Sequence, residues 1–179
     1  MINTVTVSYD DLDEKQKASR EHFSCSDQWV NDHFKSQFGQ NNKKGLARGF
    51  VLLDDVKTNI IGGYSLRPLD IRLDLNPDEV KSLGLIKGLP YSQPLPAYLI
   101  VSLGIDYQFE KRGLGKILLI EGLMRIYQVS KHTGGVGVVV DASNDNAAEF
   151  YKKFGFSQIP NQPKRYFLAI QHLKALFES

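Results

Sequence analysis

The segment from Ala97 to Ser130 constrains this chain most. AYLIVSLGID is an almost continuous apolar run, the signature of a strand buried on both faces. It passes through a short polar loop into Gly113, Leu114 and Gly115. From there Leu114, Ile117, Leu118, Leu119, Leu123, Met124, Ile126 and Tyr127 recur at the spacing of a long helix packed on a sheet, with Gly122 a mild internal cost. Strand, glycine loop and helix in that order make a phosphate-binding geometry. The first-turn N–H groups of a helix have no intrahelical partners and sit at the positive end of its dipole, and glycines let an anion approach the backbone. Lys111, Arg112 and Lys116 add positive charge at the same corner, where without a ligand they oppose the dipole. The plainer alternative is a turn that needs a positive φ, followed by a helix with a solvated basic first turn.

The remaining elements supply a sheet around that unit. Residues 2–9 (INTVTVSY) read as a first strand, and Trp29, Val30, Phe34 and Phe38 recur at helical spacing after the capping residues Ser26 and Asp27. GQNNKKG ends that pattern. The stretches 47–53 and 60–66, joined by DDVKTN, predict a β-hairpin. Between Pro68 and Pro96 the prolines and glycines mark an irregular excursion with a short helix at 78–83. A strand at 136–141, a helix at 144–154 and closing strands at 156–159 and 165–170 complete an α+β order with parallel character at its middle. A length of 179 residues, 42% hydrophobic and 23% charged, predicts a single domain over 1–179 and argues against disorder, collagen and coiled coil.

Charge and cysteine content narrow the function classes. A net charge of +2 does not by itself announce a nucleic-acid or membrane-surface protein. The single cysteine, Cys25, excludes an internal disulfide or a CxxC pair, fits a reducing compartment, and has no neighbour to activate it as a nucleophile. The N-terminus lacks a signal-peptide pattern, and no apolar stretch approaches the roughly 20 residues of a membrane span. A cytoplasmic location with no membrane partner is expected. His22, His33, His132 and His172 are scattered without metal spacing and read as surface or packing residues, so no metal is expected.

The glycine loop is neither GxxxxGK[ST] nor GxGxxG, because no third glycine follows. It resembles the acetyl-CoA loop of the GNAT family of N-acetyltransferases, [QR]xxGx[GA], reading here Glu110, Lys111, Arg112, Gly113, Leu114, Gly115. Glu110 departs from the family's Gln or Arg, and its carboxylate would repel a pyrophosphate unless the side chain turns away. A second segment, DASNDNAAEFYKKFGF, resembles the family's NxxAxxxY helix through Asn144, Ala147 and Tyr151, ending at Phe154-Gly155-Phe156. The resemblance covers about Tyr98 to Leu168 strongly and the N-terminal third in order of elements only. It implies a mixed, mostly antiparallel sheet with two splayed central parallel strands and helices on both faces. It also implies acetyl-CoA as co-substrate, its thioester arm pairing with main chain near Leu103, Gly104 and Ile105, where an N–H polarises the carbonyl. By the same resemblance Lys111, Arg112, Gly113, Leu114, Gly115 and Lys116 hold the pyrophosphate, and Tyr151 is the acid that protonates the departing thiolate. Tyr151 as an aromatic packed on the cofactor is the alternative. Asn144 is a cofactor contact or simply a helix cap. Asp141 and Glu149 lie nearby in sequence but read as solvated carboxylates, which leaves no dedicated base.

A narrower resemblance joins FSCSDQWVNDHF, GGYSL, PLPAYLIVSLGID and VVVDASNDNAAEFYKKFGF to the acetyltransferase toxins of toxin–antitoxin pairs. It implies acetylation of the α-amino group of an aminoacyl-tRNA, which blocks translation, with a cognate antitoxin and a homodimer as further partners. An ester-linked amine has a lowered pKa, which suits a site without a strong base. Lys15, Lys17 and Arg20, Lys43, Lys44 and Arg48, and Lys152, Lys153, Lys164 and Arg165 are local basic groups available to tRNA, with ordinary solvation as the alternative. Two other readings stand beside this one: the same fold acting on a small amine or protein N-terminus, and a non-catalytic acyl-CoA-binding module, for which Glu110 is the hint. Phe23, Trp29 and Phe38 are either core or interface.

Overall fold

The structure is a computed structural model that describes residues 5–179. The chain divides into two compact units, the first running to Arg67 and taking in 101–122, the second formed by 68–100 with 123–179.

In the first unit the chain enters at β1 (Val7–Ser8), which pairs antiparallel with β2 (Arg48–Leu53). Residues 2–4 of the expected first strand lie outside the described residues. The helix α1 (Glu14–Ala18) starts in a capping box, Asp13 accepting from the Gln16 N–H while the Gln16 side chain accepts from the Asp13 N–H. The amphipathic helix α2 (Gln28–Ser36) is capped by Asp27, whose carboxylate accepts from the N–H groups of Trp29 and Val30. Its apolar face enters a core with Tyr9, Leu12, Phe23, Val30, Phe34, Phe38, Val51 and Ile60. The rings of Phe23 and Phe34 stack at 4.3 Å, and those of Phe34 and Phe38 at 4.7 Å. Phe34 is fully buried, so truncation to Ala would cost about 3–5 kcal/mol. Phe23 and Phe38 are therefore core, whereas Trp29 is 48% exposed.

The GQNNKKG stretch corrects the sequence expectation, because most of it is helical as α3 (Phe38–Lys43). Tertiary contacts override its loop-like composition. Asn42 is buried, donating to the Asp10 carboxylate at 2.6 Å and accepting from the Gly49 N–H at 2.8 Å. The hairpin is present as β2 and β3 (Ile60–Ile71), antiparallel from Arg48↔Leu66 to Leu53↔Ile60 with a register shift at Leu52/Leu53. β3 is longer than the sequence suggested and carries Pro68 within it.

In the second unit α4 (Pro77–Ser82) starts in a capping box between Asn76 and Glu79. The irregular connection is thus confined to residues 72–94, because β4 (Leu95–Ile105) begins before Pro96. β4 pairs in parallel with β5 (Gly137–Asp141) over Tyr98–Ile100 against Val138–Val140. β5 pairs antiparallel with β7 (Arg165–Ala169), and β7 with β6 (Ser157–Gln158). Val138, Val139 and Val140 are fully buried, as a central strand requires. The helix α6 (Asp145–Lys153) follows β5. A final helix, α7 (Ile170–Phe177), buries Leu173 and was not anticipated from the sequence.

Three elements run from one unit into the other: β3, β4 and the long helix α5 (Leu114–Thr133). Among the described residues the strands form a seven-stranded sheet in the order β1-β2-β3-β4-β5-β7-β6, mostly antiparallel with one parallel pair. Past its pairing with β5, β4 continues through Val101 and Leu103, which are two apart and only half-buried. The expectation of burial on both faces fails at these residues.

Candidate functional site

The glycine loop in the first unit is held by hydrogen bonds to a segment some eighty residues earlier. Asp106, buried at the end of β4, accepts from the N–H groups of Ser24 and Gln108, both at 3.1 Å. The Tyr107 N–H donates to the Ser24 carbonyl at 2.8 Å. The Glu110 carboxylate accepts from the Ser26 N–H at 3.0 Å. The residue that breaks the family pattern thus has its carboxylate engaged by a backbone donor on the segment before α2.

Beyond Glu110 the backbone takes the turn that the glycine pattern implied. Lys111 (φ +59°) and Gly113 (φ +77°) are both left-handed. Gly113 occupies the position before the first helical residue, Leu114, and has no side chain with which to cap the helix. A Cβ built on Gly113 would meet nothing within 4 Å, so it is the positive φ and not crowding that favours glycine here. Leu114 is buried and anchors the turn, while Lys111 and Lys116 are exposed. Arg112 is less available than its charge suggests. Its guanidinium donates to the Gln108 carbonyl at 3.0 Å and lies 5.1 Å over the Phe109 ring.

The end of β4 presents Leu103 half-buried, with Gly104 and Ile105 buried. Gly104 is demanded by packing: a Cβ there would come within 2.6 Å of Val30 Cγ1. Cys25 lies on the same side, 3.7 Å from that position. Burial pushes its thiol up to about 11, and its Sγ donates to the Asp27 carbonyl at 3.3 Å. It is a packed thiol, as read from the sequence, and not a thiolate nucleophile.

His33 is a buried group whose partner the sequence did not reveal. Its Nδ1 is 2.9 Å from the Ser102 hydroxyl on β4, its Nε2 has no hydrogen-bond partner, and burial lowers its pKa to about 4. Asn31 is another: its side chain accepts from the Cys25 N–H at 2.7 Å and donates to the Cys25 carbonyl at 2.9 Å. Among the described residues no cluster of His, Cys, Asp or Glu could hold a metal ion.

In the second unit, Asn144 caps α6 by accepting from the Ala147 N–H at 2.9 Å. Tyr151 is 7% exposed, its ring set against Phe150 at 5.4 Å and Phe156 at 5.6 Å. Gly155 (φ +89°) ends the helix, which explains the glycine between Phe154 and Phe156. Neither nearby carboxylate is poised as a base. Asp141 is held by Arg165 through two bonds of 2.8 and 2.9 Å. Glu149 is ion-paired with Lys152, which lowers its pKa and makes it a weaker base. The same contacts thin out the basic patches. Lys17, Arg48, Lys152 and Arg165 are paired with carboxylates, leaving Lys15, Lys43, Lys44, Lys153 and Lys164 as solvated cations.

Among the described residues no helix is long and apolar enough to cross a membrane. Of curated proteins, a tRNA-acetylating toxin of Mycobacterium tuberculosis is 27% identical over 154 residues, covering 86% of this chain and 87% of the relative. Among solved structures, a mutant AtaT toxin bound to the C-terminus of the antitoxin AtaR and acetyl-CoA superposes with a TM-score of 0.77 at 18% identity, covering 98% of both chains. AtaT complexed with acetyl-methionyl-tRNAfMet superposes with a TM-score of 0.76 at 21% identity, covering 88% of this chain and 91% of that one. These two likenesses establish the fold, in agreement with the mixed sheet anticipated from the sequence. Residues 10–156, most of the chain, match the acetyltransferase (GNAT) family. The chain belongs to the acetyltransferase (GNAT) family.

Proposed function

We propose that this protein is an acetyl-CoA-dependent N-acetyltransferase whose acceptor is the α-amino group of an aminoacyl-tRNA, and that it acts as a translation-blocking toxin. The observation that carries the reading is the start of α5, where Gly113 brings no side chain to cap the first-turn N–H groups and Lys111 and Lys116 stand exposed beside it. That cradle fits a pyrophosphate. Support for the acceptor comes from the tRNA-acetylating toxin that matches over most of both chains.

Bound acetyl-CoA would supply an activated acyl thioester. The roles of the chain's own residues follow from their chemistry. The backbone at Leu103, Gly104 and Ile105 pairs with the pantetheine arm and presents an N–H to the thioester carbonyl. That the pairing of β4 with β5 stops at Ile100 supports this, because such an arm needs main-chain groups that no neighbouring strand has taken. The N–H groups of Gly113, Leu114, Gly115 and Lys116 bind the pyrophosphate, with Lys111 and Lys116 as charge partners and Arg112 bracing the loop. Asn144 acts by fixing the start of α6, and Tyr151 donates the proton to the departing thiolate. The paired states of Asp141 and Glu149 fit an acceptor that needs no strong base, as an ester-linked α-amine does. The hydrogen bond from Ser26 gives the Glu110 carboxylate a structural role, which weakens the sequence hint for a non-catalytic module.

On this reading the protein works in the cytoplasm as one domain and is restrained by an antitoxin, as AtaT is bound by the antitoxin AtaR. The test is transfer of label from acetyl-CoA into a mixed pool of aminoacyl-tRNA, with deacylated tRNA and free amines alongside. Label that depends on the aminoacyl group is expected. Label confined to free amines would overturn the acceptor assignment.

A further inference from the structure

Trp29 sits in the first turn of α2 in an unusual state for a large aromatic. One side of the indole stacks on the buried His33 ring, with centroids 5.5 Å apart and planes 18° apart, yet 48% of the residue is exposed. Its backbone N–H is fixed by the Asp27 carboxylate at 3.0 Å. It presents a half-open aromatic face whose other side is occupied by a buried ring. A second exposed aromatic, Tyr107, is 60% exposed and stands two residues beyond the end of β4. The segments that carry the two are tied together by the Tyr107 N–H to Ser24 carbonyl bond, the Ser24 N–H to Asp106 bond and the Ser26 N–H to Glu110 bond.

Along residues 24–36 and 104–116, which carry these aromatics, the charges balance. Asp27, Asp32, Asp106 and Glu110 stand against Lys35, Lys111, Arg112 and Lys116. Asp27, Asp106 and Glu110 are further engaged by backbone N–H groups, and Asp32 by the Gln28 side chain at 2.8 Å. Arg112 already lies over the Phe109 ring. A surface with a stacked indole, an exposed phenol ring, one planar guanidinium and no excess of either charge suits unpaired nucleobases, which bind by stacking and tolerate any sequence. It suits a duplex poorly, since phosphate-dominated binding needs excess positive charge. The position relative to the chemistry agrees with this. Tyr107 follows closely on Gly104 and Ile105, where the donor thioester is placed, and an aminoacyl-tRNA delivers its amine on the last of a short run of unpaired nucleotides.

We propose that Trp29 and Tyr107 form a stacking platform for the unpaired 3′ nucleotides of the acceptor tRNA. The platform rests on the aminoacyl-tRNA reading above and adds to it the residues that grip the acceptor end. Trp29 is the only tryptophan in the chain, so the intact wild-type protein reports on it directly.

The experiment is a fluorescence titration with deacylated tRNA, the same tRNA trimmed of its unpaired 3′ nucleotides, and acetyl-CoA alone, followed by steady-state kinetics of Trp29→Ala and Trp29→Phe with aminoacyl-tRNA. Quenching by intact but not trimmed tRNA is expected. Trp29→Ala should raise KM for aminoacyl-tRNA about tenfold with KM for acetyl-CoA unchanged, and Trp29→Phe should restore most of it. The loss should be nearly independent of salt, unlike that of a lysine variant. Quenching by acetyl-CoA alone would move the site to the cofactor's adenine and overturn the proposal. So would an unchanged KM for aminoacyl-tRNA in Trp29→Ala, including the case in which the surface serves a protein partner. A wild-type enzyme that acetylates aminoacyl-tRNA while these variants match it refutes the platform alone; a wild-type enzyme that labels no aminoacyl-tRNA refutes the underlying reading.

Discussion

Replacing Glu110 separates a structural tie from an electrostatic penalty, because Gln and Ala remove different things. The wild-type carboxylate accepts one hydrogen bond, from the Ser26 N–H at 3.0 Å near the surface. A charge-assisted bond at such a site contributes about 1 kcal/mol. In a protein of this size that corresponds to about 2–4 °C in Tm. Glu110→Ala should lower Tm by that amount and loosen the loop that precedes Gly113. Glu110→Gln keeps an amide oxygen as acceptor and should lose less than half as much. On acetyl-CoA binding the two variants should diverge. For a phosphate bound at the Gly113 loop, a separation on the order of 8 Å in water-like surroundings would make the loss of one negative charge worth about 0.5 kcal/mol, so Glu110→Gln should bind about twofold more tightly than wild type. Glu110→Ala gains the same relief but must order a freed loop at a cost of about 1 kcal/mol per residue fixed, and should bind more weakly than wild type. Calorimetric titration and thermal melts measure both effects. The Cys25 thiol gives an independent readout, since the Glu110 charge is one cause of its raised pKa. Its alkylation profile should move to lower pH in both variants. If Ala and Gln bind acetyl-CoA equally and melt with the wild type, the Ser26 tie contributes nothing and the reasoning fails.

Two further predictions address the second unit and the core. Tyr151→Phe removes one oxygen from a ring that stays packed on Phe150 and Phe156, so kcat should fall by about 100-fold while acetyl-CoA affinity is kept; unchanged turnover would remove Tyr151 as the acid. His33 has a pKa lowered to about 4 from 6.5, so the folded state favours the neutral ring and the unfolded state takes up the proton first as pH falls. Stability is therefore full above about pH 6.5 and declines between pH 6.5 and 4, by about 2 kcal/mol after allowance for screening. His33→Phe should flatten that part of a denaturation-versus-pH curve, and an unaltered slope would show that His33 is not the titrating group.

What the sequence made legible depends on how local the physics is. The start of α5 could be read directly because its demands fall on the residues that make it: a left-handed turn at Gly113, no capping side chain, and apolar spacing behind. The N-caps Asp27 and Asn144 were legible for the same reason. The α3 helix was not, because its composition favours a loop and its stability comes from Asn42 reaching Asp10 and Gly49. The α7 helix was not legible either: the closing strand was expected to end at Ile170, and the short apolar run behind it does not declare its period. Glu110 looked like a liability because the donor that engages it, Ser26, lies 84 residues away. Likewise, nothing in the spacing of the histidines separates the buried His33 on Ser102 from a surface residue. The division has a functional meaning. An anion that binds backbone N–H groups is recognised by one short segment, so its site survives in a motif of six residues. Recognising an acceptor requires side chains from segments that the fold alone brings together, as the Ser24 and Ser26 bonds to residues 106–110 join the segments carrying Trp29 and Tyr107. The donor can therefore be inferred from sequence well before the acceptor.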